Sequence, residues 1–421
     1  MRDPARTVSH SEFIHDWNGR GAAPSPAFPV EINDETLRDG MQATAVTSPT
    51  VEEKRGLLEL MQHIGVSAVS LGMPAAGPWA LEEVVTLARH IREEALRLEP
   101  NCAARTLHSD IVPIVEAVQR AGQPIVVHTF IGSSPLRQCA EAWDLDFILR
   151  SSTAAIDFAV RQGLEVAFIT EDTTRSTPET LELLFRAAVE HGASRLVLCD
   201  TVGHATPAGT RALVRWTRDL VERLGSPVKV EWHGHNDRGL ALINALVALE
   251  AGATRVHGCG LGIGERTGNA PVELLLLNLK LLGWIDQDLT RLVDYVLTLA
   301  QVCRVPIPRN YPLVGEDAFR TATGVHSAAI IKALERGDDW LADHIYSSVP
   351  AGEFGRRQQL ELGPMSGMSG VRYWLMVRGL QENEQLCEEI LRRAKSAAST
   401  LTEEEVWSIV QAHGGQGRSC A

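Results

Sequence analysis

The chain has 421 residues, with 40 Lys plus Arg against 53 Asp plus Glu, a formal net charge of −13. That sign repels a phosphate polyanion or an anionic lipid surface, so neither nucleic acid nor membrane is expected as a partner. An apolar content of 44% with 22% charged residues excludes a disordered chain, and no run approaches the ~20 apolar residues of a membrane helix.

The N-terminal stretch MRDPARTVSHSEF is polar and lacks the apolar centre of a signal peptide. Seven cysteines, an odd number without a CxxC pair, fit a reduced cytoplasmic protein with buried thiols. Residues 1–28 read as an arm, with a loop at Gly21-Ala22-Ala23-Pro24-Ser25-Pro26. From Pro29 a beat sets in of a short β-rich run, a polar loop and a longer helical pattern. The runs are Val30–Ile32, Val66–Leu71, Cys102–Thr106, Ile125–Phe130, Leu164–Thr170, Arg195–Cys199, Val228–Trp232 and Thr254–Val256. Helical patterns between them include Val51–His63, Leu81–Leu98, Ile111–Ala121, Pro178–His191, Pro207–Leu224 and Leu240–Ala251. Gly follows several of them at the usual stop position, as at Gly65, Gly122, Gly192 and Gly252. Eight such units favour a closed (β/α)₈ TIM barrel over residues 29–284, ending in a helix at Val272–Leu282, rather than an open doubly wound sheet. Residues 285–421 are expected to form a mainly helical C-terminal linker or lid region without a separate regulatory domain. It has helices near Leu289–Val302, Glu382–Ala398 and Glu403–Ala412, the last capped by Thr402. Before the last two comes a Gly- and Met-rich stretch at 363–370.

In such a barrel the chemistry sits where strands end. After strand 1 comes Thr36-Leu37-Arg38-Asp39-Gly40-Met41-Gln42, a cation and a carboxylate against a glycine turn. After strand 7, His233 and His235 are spaced by two, so both imidazoles reach one side of the strand and can share an ion. The strand-8 loop, Gly258 to Asn269, adds Glu265, Arg266 and Asn269 on a glycine-rich backbone that a ligand can approach. Singly, each pattern is most often structural. Together on one barrel face they make a mixed nitrogen and oxygen donor set for a borderline or hard divalent cation. Glycine at every second position of the loop is not a GxGxxG fingerprint, which excludes a dinucleotide site on that ground.

The motifs Leu37-Arg38-Asp39-Gly40-x-Gln42, His233-Gly234-His235-Asn236-Asp237 and Gly262-Ile263-Gly264-Glu265-Arg266-Thr267-Gly268-Asn269 resemble those of the 2-isopropylmalate, homocitrate and citramalate synthases. These are the acetyl-CoA-dependent condensing acyltransferases of the metal-dependent TIM-barrel lyase superfamily, and the resemblance runs from about residue 30 to 375. It implies a metal site of Asp39, His233, His235 and Asn269 for Mg, Mn or Zn, with the 2-oxo acid completing the shell. It also implies Arg38 on the alkoxide, and Glu265, His326 and Tyr346 in proton transfer. His128, Glu171 and Thr201 fall at substrate-pocket positions, and Thr323-Gly324-Val325-His326-Ser327 looks like the block that reaches a neighbouring barrel in a homodimer.

The expected reaction is a Claisen condensation of acetyl-CoA with a 2-oxo acid in amino-acid biosynthesis, releasing CoA. The acceptor is expected to be 2-oxoisovalerate, since no cation in the motifs is left for a second carboxylate, although Arg175 or His204 could serve from neighbouring loops. Met41 stands where the family usually has Glu, and Ile169 where many leucine-pathway members carry a small hydroxyl residue. With no regulatory domain expected, neither is feedback inhibition by leucine through one. Homocitrate, citramalate or secondary-metabolism alkylmalate synthesis are the nearer alternatives. A hydroxymethylglutaryl-CoA-type lyase using Cys259 ranks behind them. A biotin carboxyltransferase is disfavoured because Lys229 lies toward the buried start of strand 7, and a catalytically silent paralogue because the metal, Arg, Glu and His candidates are intact.

Overall fold

The computed structural model describes residues 13–19 and 25–414. Most of the arm read over 1–28, including most of its Gly21–Pro26 loop, lies outside the described residues. Eight parallel strands form a closed barrel in sequence order: β1 (Glu31–Asp34), β2 (Ala68–Ser70), β3 (Glu99–Arg105), β4 (Val126–Gly132), β5 (Val166–Glu171), β6 (Arg195–Asp200), β7 (Lys229–Gly234) and β8 (Arg255–Gly258). Closure is made by β8 on β1, from Glu31 opposite Arg255 to Asp34 opposite Gly258.

The surrounding helices are α1 (Val51–His63), α2 (Pro78–Glu93), α3 (His108–Ala121), α4 (Pro135–Glu141), α5 (Leu145–Arg161), α6 (Pro178–Glu190), α7 (Pro207–Leu224), α8 (Ala241–Glu250) and α9 (Val272–Leu281). Three of them open on the same chemistry: Ser134, Thr177 and Thr206 cap the first turn with a side-chain oxygen, and each is followed by a proline whose missing N–H costs nothing there. The same proline signal moves the start of α2 forward from the expected Leu81 to Pro78, and its end falls at Glu93, before Ala95 turns the chain with a φ of 51°.

Strand periodicity divides the barrel into two unlike halves. Alternate residues such as Val230 and Trp232 face outward into the main core beneath the helices. The inward residues of β4 to β6, namely Val126, Ala167, Ile169, Val197 and Cys199, form a separate apolar cluster inside the barrel. Inward residues of β1, β3, β7 and β8 are mostly polar or charged, among them Glu31, Asn33, Glu99, Asn101, Glu231, His233, Arg255 and His257, and β6 adds Arg195 at its start. Arg195 and Arg255 are buried among Glu31, Glu99 and Glu231 toward the N-terminal end. Lys229, there too, pairs with Glu31 but is half-buried rather than buried, so it is not a lysine of the barrel mouth.

Beyond the barrel, α10 (Leu292–Cys303) packs its Tyr295, Val296 and Leu299 into the main core, which continues through Phe319 and Phe354. Next come α11 (Gly324–Glu335), α12 (Asp339–His344), α13 (Met368–Val377), α14 (Glu384–Ser396) and α15 (Glu403–Ala412). The Gly- and Met-rich stretch is thus partly the first turn of α13. Helices α13 to α15 bury a core of their own around Trp374, Leu375 and Ile390. Thr402 caps α15 in a reciprocal box with Glu405. The six described cysteines are free thiols, and no helix among the described residues is long and apolar enough to cross a membrane.

Candidate active site

The loop after β1 carries Arg38 and Asp39 over the C-terminal mouth of the barrel. It is pinned from both sides: Thr36 Oγ1 accepts the Gly260 N–H from the strand-8 loop at 2.8 Å, and Tyr295 of α10 donates to buried Asp34 at 2.6 Å. On β7 the spacing of two turns His233 and His235 inward. Their Nε2 atoms each lie 3.5 Å from Asp39 Oδ2, and one coordinating atom from each of the three falls within 4.8 Å of the others.

Asn269 is brought in by the strand-8 loop, bridged to His235 across antiparallel backbone. The loop folds back on itself because Gly268 adopts φ +80° with its Cα against the Gly262 carbonyl, where any side chain would collide with backbone. Asn269 donates its amide N–H to the Ile263 carbonyl at 3.1 Å, which leaves its buried Oδ1 without a partner.

That donor set fits a divalent cation. Asp39 Oδ2 and Asn269 Oδ1 are both buried and unpartnered within the protein, an arrangement that costs about 1–3 kcal/mol per group unless something else is bound. Burial holds both imidazoles in the neutral form that a metal requires, His233 down to about 3 and His235 below its usual range. Asp39 is driven the other way. Burial would raise it, but the Arg38 guanidinium beside it outweighs burial and holds the carboxyl below its usual range.

Below this cluster lies a cavity of about 440 Å³. Its polar wall includes Arg38, Asp39, Glu171, Thr201 and Glu265, and its apolar wall Ala103, Phe130, Ile169, Val197 and Cys199. His128 lines the floor with its Nε2 unpartnered, and burial lowers it to about 3, so this imidazole stays neutral and offers an acceptor or donor to whatever occupies the cavity. Burial raises Glu171 above the usual carboxylate range. Thr201 Oγ1 accepts the Asp172 N–H at 2.8 Å. Glu265 is exposed at the rim, beside Arg266, which staples the loop to Asp237 and to the Thr201 carbonyl.

Of the residues read from sequence, Arg38, Asp39, His128, Glu171, Thr201, His233, His235 and Glu265 therefore share one cavity, with Asn269 bridged to His235 at its edge. His326 and Tyr346 do not line it. Their rings stack with centroids 3.9 Å apart at the start of α11 and just after α12, both exposed. Met41 is half-buried and packs against the main core, not on the donor cluster.

Glu35, His257 and Arg137, three ionisable groups in the cavity, were not legible in the sequence. The inward period of two on β7 could have found Glu231, the partner of His257, two residues before His233. Arg137, on α4, is held by Glu141 at 3.2 Å and approaches Glu171 at 3.6 Å. Arg175 is tied bidentately to Asp172, and His204 lies by a separate cleft, so neither cation reaches the cavity.

Residues 29–303 match the HMGL-like family. A Methanopyrus kandleri protein named as a probable 2-isopropylmalate synthase is 35% identical over 370 residues, covering 87% of this chain and 69% of the other. Homocitrate synthase AksA of the same organism is 33% identical, covering 87% of each chain. Among solved structures, the HMG-CoA lyase of Bacillus subtilis superposes with a TM-score of 0.56 at 22% identity, covering 68% of this chain and 97% of that one, a likeness of fold. With the motifs on one barrel face and these relatives across most of its length, the chain belongs to the HMGL-like family and, within it, to the 2-isopropylmalate, homocitrate and citramalate synthases.

Proposed function

We infer that the protein is an acyltransferase that condenses acetyl-CoA with a 2-oxo acid and releases CoA, with 2-oxoisovalerate as acceptor and 2-isopropylmalate as product. The observation that carries this reading is the convergence of Asp39, His233, His235 and Asn269, with buried oxygens of Asp39 and Asn269 that lack a hydrogen-bond partner, beside the Arg38 guanidinium at a cavity in the barrel mouth. Asp39, His233, His235 and Asn269 would hold a divalent cation (Mg, Mn or Zn), which when bound would supply Lewis acidity to the ketone.

The protein's own groups do the rest. Arg38 keeps one amino group on the cavity side, 3.5 Å from Asp39, for the oxygen on which charge develops. Thr201 and neutral His128 bind the oxo acid. Glu171, whose affinity for a proton is raised by burial, orients and receives protons near the acyl group. Glu265 of the same chain takes part in proton transfer, as does the stacked His326–Tyr346 pair of a second subunit, since that pair lies away from the cavity of its own barrel.

The choice of acceptor rests on the apolar wall. Ile169, Val197 and Cys199 suit a compact branched side chain, and Arg137 is already neutralised by Glu141 and Glu171. Cys259, which a lyase would use, is fully buried away from the cavity, with its thiol pushed up by burial. Purified protein with a divalent cation should release free thiol from acetyl-CoA only when an oxo acid is added, and fastest with 2-oxoisovalerate among pyruvate, 2-oxoglutarate and oxaloacetate. Cleavage of hydroxymethylglutaryl-CoA without oxo-acid-dependent thiol release would overturn the reading.

A further inference from the structure

Glu35 stands outside all three motifs, yet both of its carboxylate oxygens are engaged at the barrel mouth. Arg38 places both Nε and Nη2 on Glu35 Oε2, at 2.8 and 2.6 Å. The other oxygen, Oε1, accepts the Asn33 amide at 2.7 Å and faces His257 Nδ1 at 3.2 Å. His257 Nε2 in turn meets Glu231 Oε2 at 2.9 Å, and Glu231 Oε1 meets Arg195 at 3.0 Å and Arg255 at 3.4 Å. A column of alternating charge therefore runs inside the barrel from its N-terminal floor to the guanidinium over the cavity. Glu35, Glu231 and His257 are all essentially without solvent exposure.

An imidazole with a carboxylate oxygen at each nitrogen has a proton to donate at both ends. His257 thus links the two buried carboxylates along one axis, with one ring nitrogen facing each. The result for Arg38 is geometric. Two of its three nitrogens are spent on Glu35, and only Nη1 is left toward Asp39 and the cavity.

We propose that Glu35, backed by His257 and Glu231, is the positioning residue that fixes the single free amino group of Arg38 at the reacting oxygen. This rests on the synthase reading for the identity of that oxygen, but the fixing of Arg38 does not. An arginine on a flexible arm would hold its guanidinium in several orientations. Anchored at two nitrogens it costs no reorientation as charge develops, which acts on kcat rather than on substrate binding.

The test uses the full-length, metal-loaded enzyme. Glu35→Asp keeps the charge and shortens the arm by one methylene, so it separates position from charge. It should lower kcat about tenfold or more while KM for the oxo acid moves less than about threefold and bound metal is unchanged. Glu35→Gln and Arg38→Lys should each be slow, with the double variant no slower than the slower single, because both act through one guanidinium.

A readout free of turnover is the ¹⁵N–H resonance of Arg38 Nε, assigned by its absence in Arg38→Lys. It should be protected from solvent exchange in the unaltered protein and lose that protection in Glu35→Gln. Wild-type kcat in Glu35→Asp, multiplicative losses in the double variant, or an unprotected Nε–H in the unaltered protein would overturn the proposal. So would loss of a bound metal equivalent in Glu35→Gln, since Glu35, His233 and His257 could themselves hold a cation. If the protein releases no thiol with any oxo acid while the protected resonance responds to Glu35, the synthase reading fails and the positioning role stands.

Discussion

Replacing His235 by alanine removes one of two buried imidazoles facing Asp39, and the first consequence falls on the metal. Bound cation, measured by metal analysis after gel filtration, should drop to a small fraction of one equivalent while the circular dichroism spectrum is retained, and thiol release should be lost. Full metal content in that variant would remove His235 from the ligand set. Ile169 tests the other wall. Ile169→Ala opens the apolar side and should move preference toward a longer oxo acid by about 1–3 kcal/mol per methylene accommodated, read as a ratio of kcat/KM values. An unchanged ratio would take Ile169 out of acceptor selection.

At this scale the sequence was most informative where one local pattern carries the geometry. His233 and His235 share a strand face by spacing alone. Glu35 and His257 meet only because β8 closes onto β1, a relation between residues more than two hundred apart that no local pattern encodes. Arg137 was missed because α4 appears in none of the periodic segments.

Among the elements, α10 does more than cover the barrel. Its Tyr295 reaches Asp34 below the Arg38 loop, and Tyr311, a few residues past α10, donates to Glu273 of α9 at 2.5 Å. Glu273 also accepts the Leu261 N–H of the strand-8 loop at 2.9 Å. Burial raises Glu273 to about 7, well above the unfolded value near 4.5. The folded state therefore binds this proton more tightly than the unfolded state. The contribution is full below about pH 4.5 and is lost as pH rises through 7, by about 3 kcal/mol at most. Glu273→Gln cannot titrate, so between pH 5 and 8 its unfolding free energy from urea titrations should fall less than that of the unaltered protein. Parallel curves would show that Glu273 does not titrate in that range. The helix starts at Pro178 and Pro207 were legible in the sequence, whereas the start at Pro135 and these cross-braces were not. They join Asp34 and Glu273 to aromatics distant in sequence, Tyr295 on α10 and Tyr311 in the loop after it.

For the whole molecule, the separation of His326 and Tyr346 from the cavity of their own barrel makes a shared site the expectation. We propose a homodimer in which each α11 serves its partner's barrel. His326→Ala and His235→Ala proteins, each inactive alone, should recover up to about a quarter of normal activity when unfolded and refolded together, since half the dimers hold one complete site. Full activity of a monomer at high dilution, or no recovery on mixing, would end that arrangement. The barrel itself was readable from its eightfold beat, because each unit repeats the same local signals. The helices α11 to α13 were not, since their packing is decided by distant partners.

The braces from Tyr295 and Tyr311 also constrain where this chain can be recombined with a relative. A chimera joined at the end of α9 would pair one parent's strand-1 and strand-8 loops with the other parent's clamps, at the two loops that carry Arg38, Asp39, Glu265 and Asn269. The unit that exchanges intact is the barrel together with the chain through Phe354, where the shared core ends. The two mouth loops and this downstream stretch are thus tied together as one block, whatever happens to the helices beyond it.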